Sequence, residues 1–433
     1  MQLSNYLKIY PYSEEPGYFL LFSTKRASTI LLHESVLKSI EEGNLSPDDK
    51  ETLLSLGFLV PDREEEKRDI LSLFDNAFKG IKLSTLMVYM NLDCNLACRY
   101  CYEGGMKGSF YMTPETADLL ITLIESHFNE GRSVHIDISG GEPLLSIERI
   151  KYISERCMSS AKKRGLKYTF NLITNGTLLT KKNVEELTAL GLKGAKVTLD
   201  GPKENHNLYR PFKSGSGSFD TIIRNIKDAC EIITLQIGGN FEQKNYREFP
   251  RLLDYLIKEG ITPEKISLVK FVPIIKTGGD FGLPEFSNAC ASINEPWLFE
   301  IGLFHREEIL KRGFYSPKIK PSICLIDSPD DIIVNYDGTL YKCPAFIGWK
   351  GLDVGDLRTG IKDYRESHHL DVWKKDECLD CEYLPLCFGG CKYMKLLRDG
   401  KIDDVDCKKP YLDATLEAFI KQDIKYRLKA DSV

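Results

Sequence analysis

The chain has 433 residues, 42% of them hydrophobic, and its 58 basic and 63 acidic side chains give a formal net charge of −5. This acidic balance argues against a nucleic-acid-binding surface, which needs clustered positive charge. The sequence has no run of about 18 uncharged apolar residues to cross a membrane, and its first residues lack the basic and apolar regions of a secretory signal. We therefore expect a cytoplasmic protein that binds neither nucleic acid nor membrane.

The first 65 residues predict a small winged-helix-like module. Three short runs rich in β-branched and aromatic residues predict strands, at residues 6–10, 18–24 and 28–32. A helix is expected over residues 33–42, and a second begins after Ser46, a good N-cap that Pro47 follows in the first turn. The charged run at residues 62–69 predicts a solvated face on a linking helix.

Residues 66–312 alternate predicted strands with predicted helices. The strands are expected at residues 83–91, 134–139, 168–174, 194–199, 232–240 and 265–271. Thr113 and Thr180 are N-cap candidates for two of the helices between them. This pattern predicts the α/β class, as a partial (β/α)6 barrel of TIM type whose reactive groups lie at the C-terminal ends of the strands. Residues 313–433 are rich in loops and are expected to form a third domain.

Thirteen cysteines are many for such a chain. Cytosolic thiols stay reduced, so cysteines at regular spacings indicate metal binding before disulfides. Ten of them fall into two spaced sets, whereas Cys157, Cys230 and Cys290 stand alone and are expected to be small buried hydrophobic residues.

The first set, Cys94, Cys98 and Cys101, directly follows the first predicted barrel strand. Three thiolates suit a soft metal or an iron–sulfur cluster. Structural zinc is the alternative, but zinc usually requires a fourth Cys or His nearby, and the next residues, YEGGMKGSF, contain neither. A 4Fe–4S cluster held by three cysteines leaves one iron open to a substrate or cofactor.

The spacing CxxxCxxC after the first barrel strand, with Tyr100 before the last cysteine, resembles the radical S-adenosylmethionine (SAM) superfamily. The resemblance implies that the amine and carboxylate of SAM occupy the open iron. It also implies that the reduced cluster cleaves SAM to a 5′-deoxyadenosyl radical, which abstracts a substrate hydrogen. The three cysteines are therefore expected both to hold iron and to form the catalytic centre, and Tyr100 is expected to contact SAM.

The run Gly140-Gly141-Glu142-Pro143 follows the second predicted strand, where the same family has a SAM-binding motif. Paired glycines let a backbone approach a ligand closely, and Glu142 is expected to accept a hydrogen bond from the SAM amino group. A simple turn before a helix is the alternative.

The remaining expected SAM contacts stand at or after the ends of later strands. They are Thr174, Asn175, Thr198, Asp200, Arg210 and Asn240. Thr198 and Asp200 would bond the ribose. Arg210 resembles the arginine that contacts the SAM carboxylate in this branch of the family, and a guanidinium fork suits that task; a surface salt bridge is its alternative.

The second cysteine set resembles the seven-cysteine pattern of the SPASM domain, which occurs in radical SAM enzymes that modify peptides and proteins. Its members are Cys324, Cys343, Cys378, Cys381, Cys387, Cys391 and Cys407. The resemblance implies two auxiliary 4Fe–4S clusters and thus three clusters in all. Cys378, Cys381, Cys387 and Cys407 would hold the cluster farther from the active site, and Cys324, Cys343 and Cys391 the nearer one. Zinc ribbons are the alternative.

With three cysteines, the nearer auxiliary cluster has either an open iron or another ligand, such as Asp327, Asp330 or water. An open iron could bind a substrate thiolate or accept an electron.

Pro344 follows Cys343 where sulfatase-type maturases have an aspartate base. The run CPAFIG then VGD looks more like the maturases that link a cysteine sulfur to a carbon. Glu103, Asp330 and Tyr102 are the candidates for a general base.

The N-terminal module resembles the leader-binding domain of enzymes that modify ribosomally made peptides, and the whole arrangement resembles the geopeptide-type maturases. A three-stranded sheet can accept a peptide as an added strand; the alternative is a module that only packs on the barrel. The expected function is leader-guided formation of a thioether or carbon–carbon crosslink, with a flavodoxin- or ferredoxin-type external reductant. Oxidation of a Cys or Ser side chain in a larger protein, or electron transfer without catalysis, are the competing hypotheses.

Overall fold

The computed structural model describes residues 1–101, 103–275 and 289–427. Two compact units are present. The first contains Met1–Lys79, Lys318–Ser328 and His369–Val433, and the second contains Gly80–Pro317 and Pro329–His368. The division into three domains at residues 65 and 312 stays a prediction, and these two units follow different boundaries.

The N-terminal part of the first unit has the three strands and the helices that the sequence predicts, together with two short strands that it did not predict, Gln2–Leu3 and Leu59–Val60. They are β1 (Gln2–Leu3), β2 (Leu7–Pro11), β3 (Tyr18–Ser23), β4 (Thr29–His33), α1 (Glu34–Glu42), α2 (Pro47–Ser55), β5 (Leu59–Val60) and α3 (Arg63–Asn76). Strands β2, β3 and β4 form an antiparallel sheet in that order, and β1 pairs with β5. The Ser46 hydroxyl accepts the Asp49 N–H at 3.1 Å, as expected of the N-cap of α2.

The second unit is built on six parallel strands that alternate with helices. These elements are β6 (Leu83–Tyr89), α4 (Pro114–Asn129), β7 (Ser133–Ser139), α5 (Ile147–Lys163), β8 (Tyr168–Thr174), α6 (Lys181–Thr188), β9 (Leu192–Thr198), α7 (Lys203–Tyr209), α8 (Phe219–Ala229), β10 (Thr234–Phe241), α9 (Phe249–Lys258), β11 (Ile266–Pro273) and α10 (Pro296–Lys311). The strands are neighbours in chain order, from β6 to β11. The α/β class and the six parallel strands predicted from the sequence are confirmed.

The sheet does not close between β6 and β11, because β6 pairs on its other side with a later strand. That strand is the first of β12 (Ile332–Val334), β13 (Thr339–Tyr341), β14 (Asp353–Asp356) and β15 (Gly360–Ile361). Strand β12 lies parallel to β6, and β13, β14 and β15 continue the sheet antiparallel. A segment expected within the C-terminal domain thus extends the barrel sheet.

The core of the second unit lies where the strands meet the surrounding helices. Side chains on β8 alternate between buried and half-buried, which gives one face to the interior. Fully buried members of this core include Leu86, Ile136, Phe170, Val197, Ile237, Leu252 and Val334. This packing fixes the strand ends from which the polar loops extend.

The C-terminal part of the first unit consists of short helices and one long one. They are α11 (Asp376–Leu379), α12 (Leu384–Cys387), α13 (Lys392–Asp399) and α14 (Lys409–Arg427). They share apolar cores with the N-terminal strands; one of these cores includes Tyr6 and Trp373. In the described parts of the chain, no helix combines the length and apolar character that crossing a bilayer needs.

Polar contacts join the N-terminal strands to the segment from Cys378 to Glu382. The Tyr6 hydroxyl donates to the Leu379 carbonyl at 2.9 Å, and the Thr24 hydroxyl donates to the Glu382 carbonyl at 2.6 Å. Lys8 forms an ion pair with the Glu382 carboxylate at 3.1 Å. Two residues between and beside predicted iron ligands are therefore held by the N-terminal module.

Candidate active site

The first cysteine set lies on the loop that follows β6, as predicted. Cys94 is buried, and Cys98 and Cys101 are half-buried. Three backbone hydrogen bonds of 2.8, 3.0 and 3.1 Å join residues 95–99 of this loop to residues 209–213. The loop is therefore held in an extended pairing with the segment that carries Arg210.

The two glycines of the GGEP run allow close contact with the cysteine loop. A Cβ atom on Gly140 would lie 2.5 Å from the Asn91 carbonyl oxygen, and one on Gly141 would lie 2.2 Å from the Asp93 carbonyl oxygen. The N–H groups of Gly141 and Glu142 donate to these two oxygens at 3.0 and 2.7 Å. The close approach expected toward a ligand is thus made to the backbone of the chain itself.

Glu142 is fully buried and already accepts hydrogen bonds from the chain. The Thr174 hydroxyl donates to it at 2.8 Å, the Asn175 N–H at 2.8 Å and the Leu144 N–H at 3.0 Å. Burial raises the pKa of Glu142, and these hydrogen bonds oppose that rise. Because a carboxylate has about four acceptor sites, little capacity is left for a further donor. Pro143 is buried and begins the turn Pro143–Ser146, and its expected place in the SAM site stays a prediction.

Asn175, in the loop after β8, is also held by the chain. Its amide nitrogen lies 2.8 Å from the Asn95 oxygen and 3.6 Å from the Cys94 sulfur. Its amide oxygen accepts the Thr177 N–H at 2.9 Å. The side chain therefore joins the loop after β8 to the cysteine loop.

Four predicted SAM contacts from separate segments form one buried network. Tyr100, inside the cysteine motif, donates its hydroxyl to the Asp200 carboxylate. The same hydroxyl oxygen accepts from Arg210 Nη1 at 2.7 Å and from Asn240 Nδ2 at 2.9 Å. The Asn240 N–H donates to Asp200 at 2.7 Å. Thr198 is half-buried at the end of β9 and, among the described side chains, has no bond to this network.

Burial and the charge of Arg210 affect the pKa values in this network in opposite directions. Burial raises the pKa of Asp200, and the Arg210 charge opposes that rise. Burial also raises the pKa of Tyr100, so it remains a neutral phenol that donates to Asp200. Within the described structure, Nε of Arg210 is buried and has no hydrogen-bond partner. An unpaired guanidinium N–H on a side chain that interacts with the Cys98 thiol fits the carboxylate of a SAM molecule held at a cluster.

His206 supports this network and was not identified from the sequence. It is fully buried, and its Nδ1 accepts the Asp200 N–H at 3.2 Å. Its Nε2–H therefore faces the Ser218 hydroxyl at 3.0 Å, which donates to the Arg210 carbonyl at 2.6 Å. Burial holds the pKa of His206 well below its ordinary value, so the ring stays neutral. Its position four residues before Arg210 was the feature of the sequence that could have indicated a role beside that residue.

Four cysteines of the second set come together in the first unit. Burial raises the pKa of the Cys378 thiol to about 11, and the Cys387, Cys381 and Cys407 thiols contribute to that rise. Between Cys387 and Cys407 the backbone of Gly390 lies against the residue before Cys407. A Cβ atom on Gly390 would lie 1.8 Å from the Asp406 carbonyl oxygen. These four neighbours are the thiols predicted to hold one auxiliary cluster.

The other three cysteines are divided between the units. Cys324 and Cys391 belong to the first unit and Cys343 to the second. Burial raises the pKa of Cys324, and the Cys391 thiol adds to the rise. Cys324 and Asp327 line a small cavity together with Lys392. A cluster shared by these three cysteines stays a prediction.

The candidate bases lie in different surroundings. Asp330, in the second unit, forms an ion pair with Arg132 at 3.0 Å. Glu103 is buried, and Tyr102 lies outside the described residues. In the described ranges, no group of three or more His, Cys, Asp or Glu side chains has the arrangement of a bound metal ion.

Comparison with known proteins agrees with this site. The model of the Radical SAM superfamily matches residues 88–256. A cysteine-type anaerobic sulfatase-maturating enzyme of Clostridium novyi is 24% identical over 75% of this chain and 92% of that protein. The radical SAM cyclopropyl synthase TigE of Paramaledivibacter caminithermalis is 26% identical over 76% of this chain and 71% of that protein.

A solved structure shares the fold over nearly the whole length. The crystal structure of Streptococcus suis SuiB bound to the precursor peptide SuiA has a TM-score of 0.56 and 16% identity, over 94% of this chain and 98% of that chain. The family match runs from the end of β6 through β10 into α9, and it includes the loops that carry the cysteines, Glu142, Asp200 and Arg210. Residues 88–256 therefore form a radical SAM domain, which together with the radical SAM homologues supports a radical SAM enzyme, and this domain implies a 4Fe–4S cluster and SAM as cofactors.

Proposed function

We propose that this enzyme is a leader-guided peptide maturase that forms a thioether or carbon–carbon crosslink in a ribosomally made precursor. The supporting observation within the site is the buried Arg210, whose unpaired Nε lies in the network that Tyr100 extends from the cysteine motif. A cluster and SAM bound at this centre would supply radical chemistry for hydrogen abstraction from the substrate. The likeness to SuiB, whose structure contains a precursor peptide, supports a peptide as the substrate.

The chain itself contributes binding and orientation. Cys94, Cys98 and Cys101 would hold the cluster, and Arg210 would hold the SAM carboxylate through its free N–H. Asp200 and Asn240 hold the Tyr100 phenol next to Arg210, so their first role would be to orient Arg210. Glu142, saturated by Thr174, Asn175 and Leu144, holds the loops after β7 and β8 together. Ribose contacts by Thr198 or Asp200 stay a prediction.

We place the leader peptide on the N-terminal sheet. In the described sheet β2, β3 and β4, the outer edges belong to β2 and β4. Lys8 on β2 is paired with Glu382, whereas Thr29 and His33 at the ends of β4 are exposed. Strand addition along β4 would supply backbone hydrogen bonds for affinity and side-chain pockets for specificity.

The proposal includes two auxiliary 4Fe–4S clusters. The mutual proximity of Cys378, Cys381, Cys387 and Cys407 supports the first. The second would use Cys324, Cys343 and Cys391, and Asp327 is the better candidate for an additional ligand because it lines the cavity beside Cys324. A flavodoxin- or ferredoxin-type protein in the cytoplasm would deliver the electrons.

The test is anaerobic coexpression with a candidate precursor encoded by a short reading frame beside the gene, followed by mass spectrometry. The expected product has lost two hydrogens per modified site. It is absent with the Cys98→Ala enzyme and with a precursor that lacks its leader. An unchanged precursor mass, in cells where the enzyme still cleaves SAM, would contradict the proposal.

Oxidation of a Cys or Ser side chain is the second candidate, because the curated relatives include a sulfatase-maturating enzyme. In that reaction an aspartate after the cysteine equivalent to Cys343 would act as the base. Here Pro344 stands at that position and begins the turn Pro344–Phe346. This candidate predicts modification that does not depend on a leader, which the same experiment measures.

A further inference from the structure

The side chain of Asn175 is oriented without ambiguity toward the first cluster ligand. The backbone N–H of Thr177 can only donate, so the atom 2.9 Å from it is the Asn175 amide oxygen. The amide nitrogen therefore points the other way, to Cys94 Sγ at 3.6 Å and Asn95 Oδ1 at 2.8 Å. The residue is 5% exposed, so water competes little for these bonds.

The side-chain amide and the backbone N–H of Asn175 all have hydrogen-bond partners within the chain. Its amide oxygen also accepts the Thr177 hydroxyl at 2.7 Å, and its backbone N–H donates to Glu142 at 2.8 Å. A side chain used in this way has little capacity left for SAM. Its contact with the cysteine sulfur consequently suggests a different role from the one expected from the sequence.

A hydrogen bond to a thiolate ligand changes the energy of electron transfer. Reduction adds negative charge to an iron–sulfur cluster and its thiolates, and an N–H donor stabilises that charge. The Leu96 N–H lies 3.4 Å from the same sulfur, so Cys94 has two donors, one from backbone and one from a side chain. In a buried site such donors act at low dielectric, where their effect is stronger than in water.

We propose that Asn175 is a positioning residue that raises the reduction potential of the SAM-binding cluster through its N–H···S hydrogen bond to Cys94. The inference rests on the proposed cluster at Cys94, Cys98 and Cys101. Asn175 makes reduction of that cluster easier, while its bond to Asn95 keeps the cysteine loop in register with the loop after β8.

The test compares two Asn175 variants with a matched control in the full-length, reconstituted enzyme. Asn175→Ala removes the donor, and the near-isosteric Asn175→Asp replaces the donor with a negative oxygen. The control is Asn225→Ala, because Asn225 Nδ2 supports the same loop through the Gly176 and Thr177 carbonyls at 2.9 and 2.8 Å. The measurement is a reductive titration followed by EPR, restricted to the signal that changes when SAM is added.

The midpoint potential of the SAM-responsive signal is expected to shift to more negative values in Asn175→Ala and further in Asn175→Asp. It is expected to stay at the wild-type value in Asn225→Ala. Wild-type potentials in both Asn175 variants, or equal shifts in all three variants, would overturn the inference. Loss of the cluster in both Asn175 variants alone would also overturn it, by assigning the residue to loop stability. A wild-type enzyme without a SAM-responsive signal would instead refute the proposed function.

Discussion

A single methyl group at Gly141 is predicted to reduce SAM cleavage strongly without unfolding the chain. In Gly141→Ala the new Cβ atom would lie 2.2 Å from the Asp93 carbonyl oxygen, whereas normal contact distances are near 3.5 Å. The loop that carries Glu142 must therefore move by about 1.3 Å relative to the cysteine loop. The backbone of Gly141 lies outside the left-handed region, so this contact is the main cost.

Overpacking of this kind costs about 1–3 kcal/mol, which corresponds to a fall in melting temperature of several degrees. Displacement by about 1 Å of groups that orient reactants can reduce a rate roughly 100-fold. We therefore expect 5′-deoxyadenosine to form roughly 100 times more slowly in Gly141→Ala. The assay is chromatography of the nucleoside under anaerobic single-turnover conditions, with iron content and thermal unfolding measured on the same samples.

Gly131→Ala is the matched control. Gly131 follows α4, has a φ of +75°, and has open space where a Cβ atom would be placed. It should lose about 1 kcal/mol of stability from backbone strain and keep its rate of SAM cleavage. A Gly141→Ala enzyme that is fully loaded with iron and cleaves SAM within about threefold of the wild-type rate would refute the reasoning from loop contact.

Three further predictions concern the SAM site, pH and iron content. Arg210→Lys should weaken SAM binding roughly 10- to 100-fold in equilibrium titrations while iron content is unchanged, because lysine cannot supply the Nε–H that lacks a partner; unchanged affinity would contradict the assignment. Burial lowers the pKa of His305 to about 4. Because the unfolded chain binds this proton at higher pH, stability should fall by about 2 kcal/mol between pH 7 and pH 5, with the loss continuing toward pH 4, and urea unfolding of His305→Phe should lack that component. With the three proposed 4Fe–4S clusters the chain would hold about 12 iron atoms, and Cys407→Ala should reduce that number to about 8. The control Cys290→Ala, in the other unit, should keep about 12. Equal iron in both variants would argue against a cluster at Cys407.

Local features of the fold were predictable because their causes are local. Strand β8 has the predicted bounds, Tyr168–Thr174, since its apolar residues alternate. Thr113 and Thr180 cap α4 and α6 through their own side chains, at 3.1 and 3.3 Å. Each of these depends on residues within one or two turns.

The features that were not predicted depend on long-range contacts. The pairing of β12 with β6 joins segments more than 240 residues apart, which periodicity does not reveal. The candidate site shows the same division. The spacing of the cysteines could be recognised in the sequence. The hydrogen bonds to Glu142 and the bond from the Asp200 N–H to the neutral His206 ring depend on contacts between separate loops. Polar residues in buried networks look like surface residues in a sequence.

The contacts between the N-terminal strands and the segment from Cys378 to Glu382 affect how variants of these cysteines are interpreted. Tyr6 and Thr24 donate to carbonyls in that segment, so rearrangement of the loop after loss of a thiol ligand reaches the sheet proposed to hold the leader. If the proposed cluster and the proposed leader site are both correct, loss of Cys378 or Cys381 is expected to impair electron transfer and, through these contacts, substrate recruitment. Measuring peptide affinity alongside turnover separates the two. A variant that keeps affinity and loses turnover isolates the electron-transfer role of the cluster.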